Sequence, residues 1–162
     1  MSEDQIIFEQ KILSAQKIKL VLDVLDRPVV FTNGCFDILH RGHVTYLAQA
    51  KSLGHSLIVA LNTDDSVRRQ GKGINRPINT LENRMAVIAA LENVDFVTWF
   101  DEDIPLKLIE LLQPDILVKG GDWPIEEIVG HQEVIARGGK VYSIPFLYDT
   151  STTQIINKIS NK

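Results

Sequence analysis

The chain has 162 residues, 44% of them hydrophobic and 23% charged, with a formal net charge of −4; that length and composition suit one globular domain with its own core. The acidic balance argues against nucleic acid as a partner, since a phosphate backbone calls for a basic face, and no apolar run reaches the roughly 20 residues of a membrane helix. A single cysteine, Cys35, excludes an internal disulfide framework, and with the acidic start Met1-Ser2-Glu3-Asp4 it predicts a cytoplasmic protein.

Between residues 8 and 26 the spacing of Ile12, Ala15, Ile18, Leu22 and Leu25 predicts an amphipathic helix. Val29 to Thr32 reads as a buried strand broken by Asn33-Gly34, followed by a helix from Gly42 to Leu53 that Gly54 closes. Ser56 to Leu61 is the second strand, and Thr63 or Asp64 caps a short helix. Gln70 to Asn79, with two glycines and a proline, reads as a mobile loop. Thr80 caps a helix to Leu91, Val94 to Phe100 is a strand, and Pro105 to Leu112 a helix. Asp115 to Lys119 is a strand running into the turn Gly120-Gly121-Asp122. A helix at His131 to Arg137, a strand at Lys140 to Ile144 and a helix at Thr152 to Ile159 complete the chain. No repeat or linker intervenes, so a single domain over 1–162 is expected, with an N-terminal helix in 1–27 and an α/β core in 28–162. Alternating strands and helices, with strands apolar on both faces, predict a doubly wound parallel sheet of five strands whose ligands lie beyond the carboxyl ends.

The residues with chemistry fall at those ends. Gly34-Cys35-Phe36-Asp37-Ile38-Leu39-His40-Arg41-Gly42-His43 joins the first strand to its helix, where free amides and the helix dipole favour an anion. His40 and His43 share one side of a helical turn, and Gly42 between them lets a phosphate approach the backbone. They are either two surface histidines at a helix start or donors to phosphoryl oxygens in a transition state. Asp37, His40 and His43 as metal ligands form a third reading, weakened by the lack of an obvious fourth ligand; a Cys35–His40 nucleophile pair is a fourth. Thr150-Ser151-Thr152-Thr153 supplies more hydroxyls than an N-cap needs and suits a second phosphate cradle. Lys119, ending an apolar strand before Gly120-Gly121-Asp122-Trp123, is either solvated or clamps a phosphate as a point charge. Lys72, Arg76 and Arg84, in and after the glycine-bearing loop, are either surface charges or cations that close over a triphosphate.

Gly34-x-Phe36-Asp37, the His40-Arg41-Gly42-His43 box and the Ser-Thr-Thr helix start together resemble the cytidylyltransferase-like nucleotidyltransferases. Thr32-Asn33-Gly34-Cys35-Phe36-Asp37, Leu61-Asn62-Thr63-Asp64, Arg76-Pro77, Leu117 to Asp122 and Ser151-Thr152-Thr153 are similar to those members that adenylylate a heptose 1-phosphate for lipopolysaccharide assembly. That resemblance runs from about Val29 to Ile159. It implies transfer of AMP from ATP to the sugar 1-phosphate, with release of pyrophosphate and with Mg2+ carried on ATP. It assigns His40 and His43 to the triphosphate and transition state, Ser151, Thr152 and Thr153 to phosphate binding, and Lys119 and Asp37 to the reacting phosphates or sugar. Thr32, Asn33, Gly34, Phe36, Gly42 and Asp122 join the nucleotide- and substrate-binding set. In many relatives the domain follows a sugar kinase, so a separate protein is expected to supply the sugar phosphate, and a homodimer is expected. Related cytidylyltransferases carry an arginine shortly before the hydroxyl cluster; here Leu147-Tyr148-Asp149 stands there, so that cation comes from elsewhere or the acceptor is held differently. CTP with glycerol 3-phosphate or a phosphorylated amino alcohol is the alternative substrate pair, and a non-catalytic nucleotide sensor the alternative class.

Overall fold

Five apolar segments pair edge to edge in a computed structural model, which describes residues 7–160. They are β1 (Val29–Gly34), β2 (Ser56–Asn62), β3 (Phe96–Phe100), β4 (Ile116–Gly120) and β5 (Lys140–Ile144), every pair parallel, in the order β3-β2-β1-β4-β5. The helices are α1 (Ala15–Val21), α2 (Arg41–Lys51), α3 (Asp64–Arg69), α4 (Leu81–Ala89), α5 (Leu106–Leu112), α6 (His131–Ala136) and α7 (Thr152–Ser160). This is the doubly wound parallel sheet that the alternation of elements predicts.

Alternation of side chains along each strand divides the core in two. On one face Val30, Val59 and Val118 meet Tyr46, Leu47, Met85 and Ile88 of α2 and α4. On the other, Phe31, Ile58 and Leu117 meet Ile18, Ile109, Leu112 and Val134 of α1, α5 and α6. Burying each such aliphatic side chain contributes roughly 1.5–3 kcal/mol. Two aspartates set the register at the amino ends. Asp115, just before β4, accepts the Val29 amide at 2.6 Å, and Asp95, just before β3, accepts the Leu57 amide at 2.6 Å.

The N-terminal helix is interrupted. A 3-10 turn (Ile7–Lys11) precedes α1 and another (Leu22–Val24) follows it. Between the first two, Ile12 bridges Val97 and the Leu13 amide donates to the Val97 carbonyl at 2.9 Å. Edge strand β3 thus pulls residues 12 and 13 out of helical conformation, and Ser14 restarts the helix by capping the Lys17 amide. Thr63 caps α3, its hydroxyl accepting from the Ser66 amide, whereas Thr80 holds the N-cap position of α4 without a side-chain bond.

The chain steps outward from β1 to β2 and β3, then returns to lay β4 on the other side of β1. Between β1 and β4 the winding reverses, which opens a crevice at their carboxyl ends. Thr32 pairs with Val118, so Asn33-Gly34 and Lys119-Gly120 come next, side by side, at the lip of that crevice. Among the described residues, no helix is long and apolar enough to cross a membrane.

Candidate active site

The path out of β1 is built around rings that need space. A Cβ on Gly34 would stand 2.9 Å from the Phe36 ring, and one on Gly42 would stand 3.0 Å from the His40 ring. Phe36 itself has φ +48, a left-handed conformation that costs a bulky residue on the order of 1–3 kcal/mol. The arrangement brings its ring to 5.2 Å from that of His43, edge to face. His40 is the N-cap of α2, extended and making no side-chain cap bond, and its ring folds back to stack on His43 with centroids 3.8 Å apart. The amide end of α2 therefore opens beneath two imidazoles.

Burial lowers the pKa of both rings. For His43 burial and then the proximity of His40 bring it to about 4, against a smaller opposing pull from the Ile38 carbonyl. Both are neutral at pH 7. Their Nδ1 atoms are two of only three buried side-chain polar atoms without a hydrogen-bond partner among the described residues. Such orphans are rare in folded proteins, and a catalytic role is one of the explanations for them.

Lys119 rises from the end of β4, and burial, then the charge of Lys72, lowers its pKa. Lys72 reaches in from the glycine-bearing loop, with Nζ 3.3 Å from Cys35 Sγ, and that thiol also donates to Gln70 Oε1 at 3.4 Å. Cys35 thus belongs with the loop, not with His40, and the nucleophile-pair reading loses its geometry. At α7 the hydroxyls divide their work. Ser151 Oγ accepts the Gln154 amide at 3.1 Å as an ordinary cap, while Thr152 Oγ1 donates to the Ile38 carbonyl at 3.2 Å and ties α7 to the segment before His40. Thr153 is exposed and lines the same recess as His43, Lys72 and Arg76. Where the resemblance lacks its arginine, Arg41 of α2 lies over the Tyr148 ring, 3.8 Å from the centroid, and brings a guanidinium beside the hydroxyl cluster.

Several expected site residues are committed to bonds inside the protein or lie off the crevice. Arg84 is 1% exposed. Its guanidinium donates to the carbonyls of Asn79, Cys35 and Asn62 and to Asp64 Oδ1 at 2.6–3.0 Å, which leaves it no freedom to close over a triphosphate. Asp37, 3% exposed, accepts from Arg76 Nε at 2.6 Å and from the Ile78 and Asn79 amides at 2.9 Å. It anchors the loop instead of facing a sugar, and the three-ligand metal reading loses its carboxylate. Among the described residues, no three His, Cys, Asp or Glu side chains converge to hold a metal. Thr32 is fully buried and paired with the Tyr46 hydroxyl at 2.5 Å, behind the crevice. Asp122 is exposed on the turn beyond the lip.

Three recesses follow one another along the crevice. One of about 320 Å³ is lined by His43, Lys72, Arg76, Thr152 and Thr153. The next, about 100 Å³, has apolar walls of Phe36, Tyr46, Gly120 and Phe146 and reaches Lys119 and Asn33. Those two residues also border the third, about 170 Å³, with Trp123 and Glu127. A larger cleft of about 410 Å³ lies at the opposite end of the sheet, beside Pro28, Asp115 and Lys140; the amino ends of parallel strands are not where such folds bind ligands. Tyr46 and Phe146 were not among the expected site residues. Tyr46 lies three positions after His43 on α2, and Phe146 lies just past β5, so the carboxyl-end rule itself points to both.

A profile of the cytidylyltransferase-like family matches residues 31–158. A D-beta-D-heptose 1-phosphate adenylyltransferase of Bordetella bronchiseptica is 52% identical over 94% of this chain and 95% of its own length. A bifunctional protein HldE of Hahella chejuensis is 53% identical over 91% of this chain, which spans only 31% of that relative's length. Among solved structures, a lipopolysaccharide core biosynthesis protein of Thermoplasma volcanium is 33% identical, with a TM-score of 0.62, over 75% of this chain and 98% of its own. Pantothenate synthetase of Thermus thermophilus, 15% identical with a TM-score of 0.63 over 90% of this chain and 67% of its own, shares the fold alone. The chain belongs to the cytidylyltransferase-like family of nucleotidyltransferases, in the group that includes the Bordetella adenylyltransferase.

Proposed function

We propose that the protein transfers AMP from ATP to D-glycero-β-D-manno-heptose 1-phosphate, giving ADP-heptose and pyrophosphate. The observation that carries this reading is the pair of stacked, neutral histidines at the free end of α2, with His43 and Lys119 lining one recess. Support for the heptose comes from the Bordetella relative, whose name specifies that substrate and whose length this chain nearly matches.

The chemistry asks little of the protein beyond placement. A sugar 1-phosphate is mostly a dianion at neutral pH, its second pKa being near ~6, and needs no general base. One of its oxygens forms a bond to the α-phosphorus of ATP while the bridge from that phosphorus to the β-phosphate breaks. Pyrophosphate leaves with the electron pair. Two anions must be brought together, and charge must be stabilised on the leaving oxygens. The β- and γ-phosphates suit the recess of His43, Lys72, Arg76 and Thr153, and the nucleoside suits the apolar walls of Phe36, Tyr46 and Phe146. Lys119, between that recess and the next, offsets the repulsion at the reacting phosphorus. The helix amides and the imidazole N–H groups donate to the phosphoryl oxygens.

Magnesium fits this account as a companion of the nucleotide. Asp37 is the one carboxylate beside the phosphate recess, and it is committed to Arg76 and two amides. An ion bound with ATP would take its ligands from phosphate oxygens and water, as is common in nucleotide sites, and would supply charge neutralisation at the leaving group.

The test is pyrophosphate release over a panel of nucleotides and phosphorylated acceptors. ATP with the heptose 1-phosphate should be the fastest pair. A clearly faster reaction of CTP with glycerol 3-phosphate would transfer the protein to the alternative substrate pair. Nucleotide binding without release for any pair would make it a sensor.

A further inference from the structure

We propose that the cleft at the amino end of the sheet is a second binding site, for a phosphate-bearing small molecule that is not a reactant, with Arg137 and Lys140 holding the phosphate. The site lies outside the adenylyltransferase reading and stands or falls apart from it.

Size and charge are the first observations. The cleft encloses about 410 Å³, more than any one recess of the crevice, and falls within the roughly 300–1,000 Å³ of small-molecule sites. Leu53 and Tyr142 give it apolar wall, while Arg27, Arg137 and Lys140 face a single carboxylate, Asp115. That carboxylate is already committed. Its Oδ1 accepts from the Arg27 guanidinium at 2.7 Å and its Oδ2 from the Val29 amide at 2.6 Å. Arg137 and Lys140 form no ion pair among the described residues. A chain of net charge −4 thus keeps two exposed, unmatched cations on one concave surface.

Helix ends do not account for these cations. Helices α2, α5 and α6 finish on this side of the sheet, and free carbonyls there would attract positive side chains. Backbone amides close those carbonyls instead. Gln113 donates to Ile109, Gly138 to Ile135 and Gly139 to Val134, each at 2.9 Å. Gly138 has φ +81, the left-handed conformation that lets the chain double back in this way. Gly139 then lies against the root of β4, where a Cβ would stand 2.6 Å from the Asp115 carbonyl oxygen. Arg137 and Lys140 flank that tight turn, so their backbones are fixed and their side chains are left for a ligand.

The helices turn their amide ends to the crevice, so an anion at this end is selected by side chains alone. A ligand here is not a reactant for the same reason, since it lies a strand's length from the imidazoles. Arginine can fork two N–H groups onto phosphate oxygens, and lysine adds a point charge. The body of the ligand rests on Leu53 and the half-buried Tyr142 ring.

Amide chemical shifts of the isotope-labelled full chain test this, with ADP, adenosine and inorganic phosphate as probes. ADP should move the amides of Gln113, Gly138 and Gly139 saturably, apart from any response of Gly34 and Gly42 in the crevice. Inorganic phosphate should move the same three more weakly, and adenosine, which lacks phosphate, should leave them in place. Arg137→Ala and Lys140→Ala should each weaken ADP at the cleft about tenfold, the scale of one charge-assisted hydrogen bond, with KM for ATP unchanged. Both residues are exposed, so the variants keep the fold. Cleft amides that stay still while the crevice saturates, an equal response to adenosine, or undiminished ADP binding in both variants would overturn the site. Cleft shifts as expected, in a protein that releases no pyrophosphate, would overturn the adenylyltransferase reading alone.

Discussion

His40 and His43 stack with both Nδ1 atoms buried and unpartnered, which fixes how they can act. A neutral imidazole carries one N–H and one lone pair, and an orphaned lone pair costs less than an orphaned N–H. Each neutral ring therefore has one N–H to give, and for His43 the Ile38 carbonyl competes for it. The stack is compatible with this because burial keeps His43 uncharged down to about pH 4. Replacing either histidine with alanine should lower turnover by on the order of 10²–10³, the cost of one transition-state donor, with a smaller loss of ATP affinity. Asparagine keeps an N–H and should retain more activity than alanine; single-turnover kinetics with ATP titration separates the two effects. Arg84 makes the opposite prediction. Its guanidinium satisfies three carbonyls and Asp64 inside the protein, so Arg84→Ala should lose about 3–5 kcal/mol of stability, the scale of a broken buried ion pair, read as a fall in the urea midpoint. The sequence carries a sign of that burial, since Arg84 shares a helix face with Leu81, Met85 and Ile88. Thr32 likewise shares its side of β1 with Val30, whose partners include Tyr46.

At the scale of elements, the loop from Gln70 to Asn79 is divided in two. Gly71 to Asn75 is exposed throughout, whereas Arg76, Ile78 and Asn79 are bonded to Asp37. Amide exchange should therefore be fast over 71–75 and slow on nucleotide binding, as Lys72 closes on the phosphates, while the Ile78 and Asn79 amides stay protected in both states. Equal exchange of 71–75 with and without ATP would remove this segment from the mechanism. The sequence shows the glycines and the charge; it does not show the anchor, because Asp37 lies 39 residues before Arg76 and only the fold joins them. The same limit explains the first helix. Periodicity marks the buried faces of Ile18 and Leu22, but not the pairing of Ile12 with an edge strand 85 residues later. Strands are more legible, since β2, buried along its whole length, declares itself as an unbroken apolar run.

For the whole molecule, the winding reversal between β1 and β4 is what assembles the site. It sets Asn33 and Gly34 beside Lys119 and Gly120 and lines up three recesses across that seam. On the proposed reading the polyphosphate lies toward His43 and the acceptor phosphate toward Lys119, so the attacking and leaving oxygens would face each other across the α-phosphorus. Such an arrangement would perform one displacement, with no covalent nucleotidyl-enzyme on His40, His43 or Cys35. The stereochemical course at phosphorus tests this most directly. ATP bearing a chiral thiophosphate at the α-position should yield the thio-substituted ADP-heptose with inverted configuration, the outcome of a single in-line attack. Retention would require two displacements through an enzyme-bound nucleotide and would contradict the account.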